Sequence, residues 1–527
     1  MAQKNEWITK VAVFLRFSTI LLPSSQGGIN LSTLSNLIAN HPTGKNAILI
    51  PNGPTTTYGQ FADQIERISE TLSAAGVEKG RTVSIVLENS LDFMITFLAV
   101  TGTGAIAAPL NPAYTNEEFK FYMEDTESQL VIISPNADTA KDAATELDIP
   151  IATAVLDSDG QLSISKSGSL LTARSSVETP SDDDIALFLH TSGTTSRPKG
   201  VPLTHGNLMA SLENIVNTYR LTQDDLAMVV MPLFHVHGLI GVSLSALKSG
   251  GSMVIPSRFS AGSFWKIQKE TNATWYSAVP TIHQILLMRA DEDNAPKESF
   301  RFIRSCSAAL APSVFNQLED RFGAPVLEAY GMTEASHQMS SNLLPPGARN
   351  PGTVGSGTGV EIGIMNEDGV LLGTNKTGEV VIKGPNVTHG YHNNPEANLE
   401  AFTNGWFRTG DQGILSTESI LTLTGRLKEL INRAGEKISP LEVDAAILQH
   451  PGVSEAVCFG VPDEKYGEAV QAAVVISSST TESDIQAFCG QHLADFKIPD
   501  RVYIVDELPR TATGKIQRRH VAAKFAE

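Results

Sequence analysis

The tightest constraint on the fold is one short stretch, residues 190–200. It follows the apolar run 185–189, which has the length of a single buried strand. Thr191, Ser192, Thr194, Thr195 and Ser196 then set five hydroxyls within six residues. Arg197 and Lys199 add two cations, and Gly193 and Gly200 let backbone N–H groups come close to a ligand. A buried strand that delivers hydroxyls, open amides and cations at its end suits a polyphosphate in an α/β framework. Read alone, the same cluster is also a polar surface loop. A Walker A loop ends Gly-Lys-Ser/Thr, whereas this one ends Pro198–Lys199–Gly200, which disfavours an ordinary P-loop.

At 527 residues the chain is too long for one core and has room for about two to four domains. Its 41% hydrophobic and 18% charged residues are ordinary for a globular protein. A formal charge of −18 argues against nucleic acid as a partner. It also means that an anionic ligand must be drawn by local donors, since the overall field opposes it. Cys306, Cys458 and Cys489 show neither metal-ligand spacing nor a disulfide framework, which fits a reducing compartment. Residues 11–23 are apolar but broken by Arg16 and too short to span a bilayer, so 1–29 reads as an extension. No stable membrane span is expected. The C-terminal Lys524–Phe525–Ala526–Glu527 is not a Ser-Lys-Leu address, and a cytoplasmic location is expected, with organellar targeting by the extension 1–29 as the alternative.

Periodicity predicts helices over 31–41, 57–75 and 91–101, and strands at 82–86, 105–110 and 130–134. Residues 157–184 are Ser/Asp/Thr-rich and read as an exposed connection. Further strands are expected at 228–231, 252–255, 302–305 and 325–328. After residue 352 the texture changes to short strands with Gly/Asn/Asp turns, a β-rich subdomain. Beyond 428, segments 439–448, 453–461, 469–476 and 481–493 alternate helix and strand. The fold class is therefore α/β. A large multi-layer domain, 30–427, carries the β-rich subdomain and is followed by a small α+β domain, 428–527.

Four more segments carry chemistry. Glu328–Ala329–Tyr330–Gly331–Met332–Thr333–Glu334 offers an aromatic face, a hydroxyl and a carboxylate, although it also fits a helix start. Trp406–Phe407–Arg408–Thr409–Gly410–Asp411 sets a carboxylate at a glycine turn. Gly425–Arg426–Leu427–Lys428 leads to Gly435–Glu436–Lys437, and Pro509–Arg510–Thr511–Ala512–Thr513–Gly514–Lys515 ends the series. Together with residues 190–200, and in this order, these strings closely resemble the acyl-adenylate-forming superfamily. The resemblance implies that Thr191, Ser192, Gly193, Thr194, Thr195 and Lys199 bind phosphate. It implies that Ser307, Ala308, Ala309, Glu328, Ala329 and Tyr330 face the nucleotide, with Tyr330 on adenine. Thr333 would contact the α-phosphate, Glu334 would hold Mg²⁺, Asp411 would take the ribose diol and Arg426 ribose or phosphate. Lys428 would be a hinge, Gly435 would line a CoA channel and Lys515 would be the catalytic lysine. ATP, Mg²⁺ and CoA are the implied cofactors and co-substrates. Where the family usually has two glycines, this chain has Ala434–Gly435.

The acyl pocket is read from polar residues. Phe234–His235–Val236–His237–Gly238, Arg304–Ser305–Cys306–Ser307–Ala308 and His337 offer imidazoles, hydroxyls and a cation. A fatty or aromatic acid needs apolar walls. These groups suit a second carboxylate on a very small acid, with His237, Ser307 and His337 as its donors. A protonated imidazole beside an anion is one form such a donor takes. The strings also resemble the oxalate–CoA ligases of plants and fungi. Oxalate is thus the implied acid, with malonate, a short-chain acid or a hydroxycinnamate as the alternative. The expected partners are small molecules, with the protein a monomer or homodimer.

Overall fold

The computed structural model describes residues 33–191, 198–511 and 513–525. The extension 1–29 and the phosphate-loop residues Ser192, Gly193, Thr194 and Thr195 lie outside the described residues.

Two large sheets organise the N-terminal part. The eight-stranded sheet runs, edge to edge, Lys199–Thr204, Ile185–Thr191, Ile106–Pro109, Thr82–Val86, Ser128–Ile133, Ile151–Leu156, Leu162–Lys166 and Ser169–Leu170. The nine-stranded sheet contains, as successive neighbours, His337–Ser341, Val326–Met332, Phe302–Cys306, Trp275–Ala278 and Leu226–Met228. Its central pairs are parallel and its strands are buried on both faces, as an α/β layer requires. Helices pack on these sheets with starts the sequence encodes. Thr57 and Gln60 close a capping box on helix Tyr58–Ala74, and Thr115 and Glu118 do so on Asn116–Asp125. Helix Leu91–Gly102 is buried nearly all round, as its apolar composition demands.

A five-stranded antiparallel sheet built on Glu361–Met365, Thr377–Lys383 and Trp406–Leu415 forms the β-rich part. After it come the hairpin Ile431–Arg433/Glu436–Ile438, helix Pro440–Ile447, the long strands Val453–Asp463 and Gly467–Ile476, and helix Glu482–Cys489. This last part has its own apolar clusters, one around Ile438, Val443 and Val474 and one around Phe459, Leu508 and Val521.

Four expectations are corrected. The span 31–41 holds only the one-turn helix Leu34–Asn36, because His41 and Pro42 end the chain's approach to a buried strand. The connection 157–184 contains the hairpin Leu162–Lys166/Ser169–Leu170, whose alternating Leu162 and Ile164 are buried against the sheet. Residues 328–332 do not follow a strand but belong to it, since Val326–Met332 continues through Tyr330. Asp411 is not in a turn. It lies inside strand Trp406–Leu415, where Gly410 takes φ +73° and the register shifts, a bulge that re-aims the carboxylate.

Candidate active site

Thr191 and Lys199 are cross-strand partners in an antiparallel pair, so the ends of the phosphate-loop segment meet. Gly200 is needed for packing: a Cβ there would come within 2.6 Å of the Phe188 ring. Lys199 places its ammonium 4.5 Å from the centre of the Tyr391 ring. Tyr391 in turn donates its hydroxyl to Glu334 Oε1 at 2.8 Å. Burial raises the Glu334 pKa, and Tyr391, Arg426 and Lys199 pull it back. Thr333 and Glu334 share the one-turn helix Thr333–Ala335 at the end of strand Val326–Met332. Among the described residues no three His, Cys, Asp or Glu side chains cluster as a metal cage. A lone buried carboxylate fits Mg²⁺, which takes one or two carboxylates and fills its sphere with phosphate and water.

A cavity of about 510 Å³ reaches Gly331, two residues before Thr333, and is not lined by Thr333, Glu334, Lys199 or Tyr391. Ser307, Ala308, Ala309, Glu328, Ala329, Tyr330, Asp411, Arg426 and Lys515 all line it, so nine expected site residues from five separate segments converge. Arg426 pairs with Asp411 at 3.0 Å, and the Tyr330 hydroxyl donates to the other Asp411 oxygen. Burial raises the Asp411 pKa, opposed chiefly by Arg426. Glu328 accepts from the Gly352 N–H at 2.8 Å, and burial lifts its pKa to about 8.

Lys515 enters the cavity from the C-terminal segment. Thr281 donates to the Gly514 carbonyl at 3.1 Å, and Gln284 donates to the Ser454 carbonyl at 3.2 Å, so two hydrogen bonds tie the small C-terminal part to helix Pro280–Met288. Desolvation lowers the Lys515 pKa, Arg426 lowers it further, and Cys306 and Asp411 oppose.

Lys428 is exposed in the one-turn helix Leu427–Glu429. Gly435 is exposed on the hairpin after it and is not brought to the cavity in this arrangement. Ala434 takes φ +53°, a left-handed backbone where glycine sits without strain and alanine does not.

Behind Ser307 lies a polar cluster that the sequence pattern revealed only in part. His237 Nδ1 is 3.0 Å from Ser307 Oγ, and its Nε2 is 2.6 Å from Ser277 Oγ. Arg304, with 0% of its surface exposed, donates to Ser277 Oγ at 3.0 Å, to His337 Nε2 at 2.9 Å, to Gln338 Oε1 at 2.9 Å and to the Tyr219 hydroxyl at 2.8 Å. The His237 and His337 rings stack with centroids 5.3 Å apart. Strand register makes this cluster: Ser277 is the direct neighbour of Arg304, and Gly331 and Met332 pair with Gln338 and His337 one strand further on. Ser307 and His337 hold φ of +75° and +93°, strained for side-chain-bearing residues and concentrated where a ligand would be gripped. Gly241, on the π-helical turn Leu239–Leu244, makes room, since a Cβ there would lie 2.4 Å from His337 Nε2.

The protein's own groups shift both imidazoles downward. Burial, then the neighbouring His337 ring and the Arg304 guanidinium, push His237 well below the ordinary imidazole range. Burial, Arg304, His235 and Lys515 do the same to His337. Both shifts favour the neutral ring. His283 is a packing residue, bonded to the Tyr276 hydroxyl at 3.1 Å. Ser277, Tyr391, Thr281 and Gln284 were not among the expected site residues, and Arg304 was expected only as the cation its segment offers near the acyl pocket.

Residues 36–392 match the model of the AMP-binding enzyme family, and 442–515 match the AMP-binding enzyme C-terminal domain. The chain belongs to the AMP-binding enzyme family. Within it, the chain is 52% identical over 508 residues to an oxalate–CoA ligase of Arabidopsis thaliana, covering 94% of this chain and 99% of the relative. It is 46% identical to an oxalate–CoA ligase of Saccharomyces cerevisiae, covering 91% and 95%. Among solved structures it is similar to ATP-bound MatB of Rhodopseudomonas palustris, with a TM-score of 0.85, 30% identity and coverage of 94% and 99%. The adenylate-forming fold, a large N-terminal α/β domain with a small C-terminal one, is thus that of the family. No helix among the described residues is long and apolar enough to cross a membrane.

Proposed function

We propose that this protein joins oxalate to CoA at the expense of ATP, giving oxalyl-CoA, AMP and diphosphate. One carboxylate oxygen of oxalate attacks the α-phosphorus of ATP, and the bond to diphosphate breaks. The CoA sulfur then attacks the activated acyl carbon, and AMP leaves. The observation that carries this reading is the polar acyl end of the cavity, where Ser307 is backed by two neutral histidines and a buried guanidinium. Such walls are costly around an aliphatic or aromatic tail and favourable around a second carboxylate.

The roles follow from position. The Lys515 ammonium, beside Asp411 and Arg426, offsets the repulsion between an incoming carboxylate and an already negative phosphate. Asp411 offers acceptor capacity to a ribose diol, and Tyr330 an aromatic face to the base. Thr191, Lys199 and Thr333 would contact the phosphates. Glu334 would hold Mg²⁺, which when bound neutralises phosphate charge. Excluding water around ATP and later admitting a thiol are conflicting demands on one site. We read residues 428–527 as the part that turns about exposed Lys428, bringing the Gly435 hairpin to the CoA path.

Diphosphate release measured across oxalate, malonate, acetate and 4-coumarate tests the substrate. Oxalate should give the highest kcat/KM. A higher value for malonate or 4-coumarate would replace the substrate and leave the ligase chemistry standing.

A further inference from the structure

Arg304 is buried among neutral groups, and among the described residues no carboxylate pairs with it. A guanidinium donates only and cannot lose its proton in a protein. Its position therefore dictates which way its neighbours point. His337 Nε2 accepts a hydrogen bond from Arg304 Nη2, so a neutral His337 carries its hydrogen on Nδ1. That Nδ1–H has no acceptor among the described residues. On the other branch Ser277 Oγ accepts from Arg304 Nη1, and the remaining neighbour for its hydroxyl proton is His237 Nε2. His237 then carries its hydrogen on Nδ1 and gives it to Ser307 Oγ. The Ser307 hydroxyl proton is left over, on a residue that lines the cavity. The reverse arrangement, with His237 Nε2–H donating to Ser277, strands the Ser277 proton beside a cation.

We propose that Arg304 is a specificity-determining residue: through Ser277 and His237 it directs a hydrogen-bond relay outward, so that the Ser307 hydroxyl, which lines the cavity, presents a donor to the unreacted carboxylate of a small dicarboxylate, whose charge the guanidinium balances, with His337 held behind it. The inference rests on the dicarboxylate reading above and goes beyond it. It assigns selectivity to a residue that does not line the cavity and acts through others. A neutral monocarboxylic acid of similar size leaves that donor and the buried charge unanswered, so it is rejected without any steric clash.

The test compares wild-type protein with Arg304→Met, Arg304→Lys and Ser277→Ala, each assayed for kcat and KM with oxalate, acetate and ATP. Arg304→Met should lower the ratio of oxalate to acetate kcat/KM by about tenfold to a hundredfold, mainly through the oxalate KM. The ATP KM should move far less, and Arg304→Lys should restore part of the ratio. Ser277→Ala, a small change that leaves the charge in place, should lower the ratio by a smaller factor. Nitrogen-15 NMR of histidine-labelled wild-type protein should show both His237 and His337 as Nδ1–H tautomers. A folded Arg304→Met protein with the wild-type ratio overturns the inference, and so does an Nε2–H tautomer at His237. If Arg304→Met does not fold, Ser277→Ala and the tautomers decide. A wild-type preference for acetate over oxalate would sink the substrate reading instead, and the tautomers would still judge the relay.

Discussion

The two ends of the cavity are built on opposite principles. At the nucleotide end charges come in opposite pairs, Asp411 with Arg426 at 3.0 Å and with Lys515 near both, and Arg426 keeps much of its side chain in solvent. The residues arrive from segments far apart in the chain, and Lys515 belongs to a part joined to helix Pro280–Met288 by the hydrogen bonds of Thr281 to Gly514 and Gln284 to Ser454 and by Leu448 packed on the apolar cluster around Tyr276 and Leu286. At the acyl end the Arg304 cation is buried, among the described residues, without a carboxylate partner, and Ser277, Arg304 and His337 stand on strands of one sheet. A compensated, tethered group can be withdrawn between chemical steps. An uncompensated charge locked in a sheet cannot move, and it selects whichever ligand supplies the missing anion. The nucleotide end thus suits catalysis with rearrangement, and the acyl end suits discrimination.

The largest effect should come from the nucleotide end. Lys515→Ala is expected to slow acyl-adenylate formation by at least ~10²–10³, followed as ATP–diphosphate exchange, with ATP binding largely retained. Preformed oxalyl-AMP should still react with CoA. Wild-type exchange in the variant would remove Lys515 from the first step. The same ammonium predicts a pH limb. Because desolvation sets its pKa below the ordinary lysine value of 10.5, kcat/KM for ATP should fall with rising pH earlier than a free lysine would cause, as the charged form is lost. Lys515→Arg should move that limb upward or abolish it, and an unmoved limb would assign it to another group.

On the rigid side, Ser307→Ala or His337→Ala should raise the oxalate KM by about tenfold to a hundredfold, the worth of a hydrogen bond to a charged group. The ATP KM should scarcely change. Parallel loss of both affinities would mean that the two ends are not separable. Lys428→Pro fixes φ at the exposed joint, and should depress one half-reaction by on the order of tenfold while sparing the other. Equal damage to both in a folded protein would place the hinge elsewhere. Smallest of all, Thr281→Val or Gln284→Ala removes one tether of ordinary strength. Each should cost adenylation about two- to tenfold and leave thioester formation from oxalyl-AMP no slower. A drop in thioester formation alone would show that these contacts serve the other arrangement.

Much of this was legible locally. The helix at 57–75 was readable because Thr57 and Gln60 cap it and its apolar positions repeat with helical spacing. The strand Thr82–Val86 was readable because five consecutive buried residues of strand-forming type leave little alternative. Leu34–Asn36 misled because an apolar stripe at helical spacing also suits a few turns laid on a core. Tyr391 carried no signal, because its partner Glu334 is 57 residues away and nothing local links them.

The sequence by itself determined the order of the phosphate-binding, carboxylate and lysine motifs, the α/β alternation and the change of texture after residue 352. Those features rest on local preferences: which residues cap a helix, which alternate in a strand, which tolerate a turn. Only the tertiary structure decided that Ser277 lies beside Arg304, that His237 and His337 are neutral, that Asp411 projects from a bulge and that Lys515 reaches it. Strand register and burial set those facts. Register is settled by the whole sheet, and desolvation by everything packed around a group, so neither can be read from the residues alone.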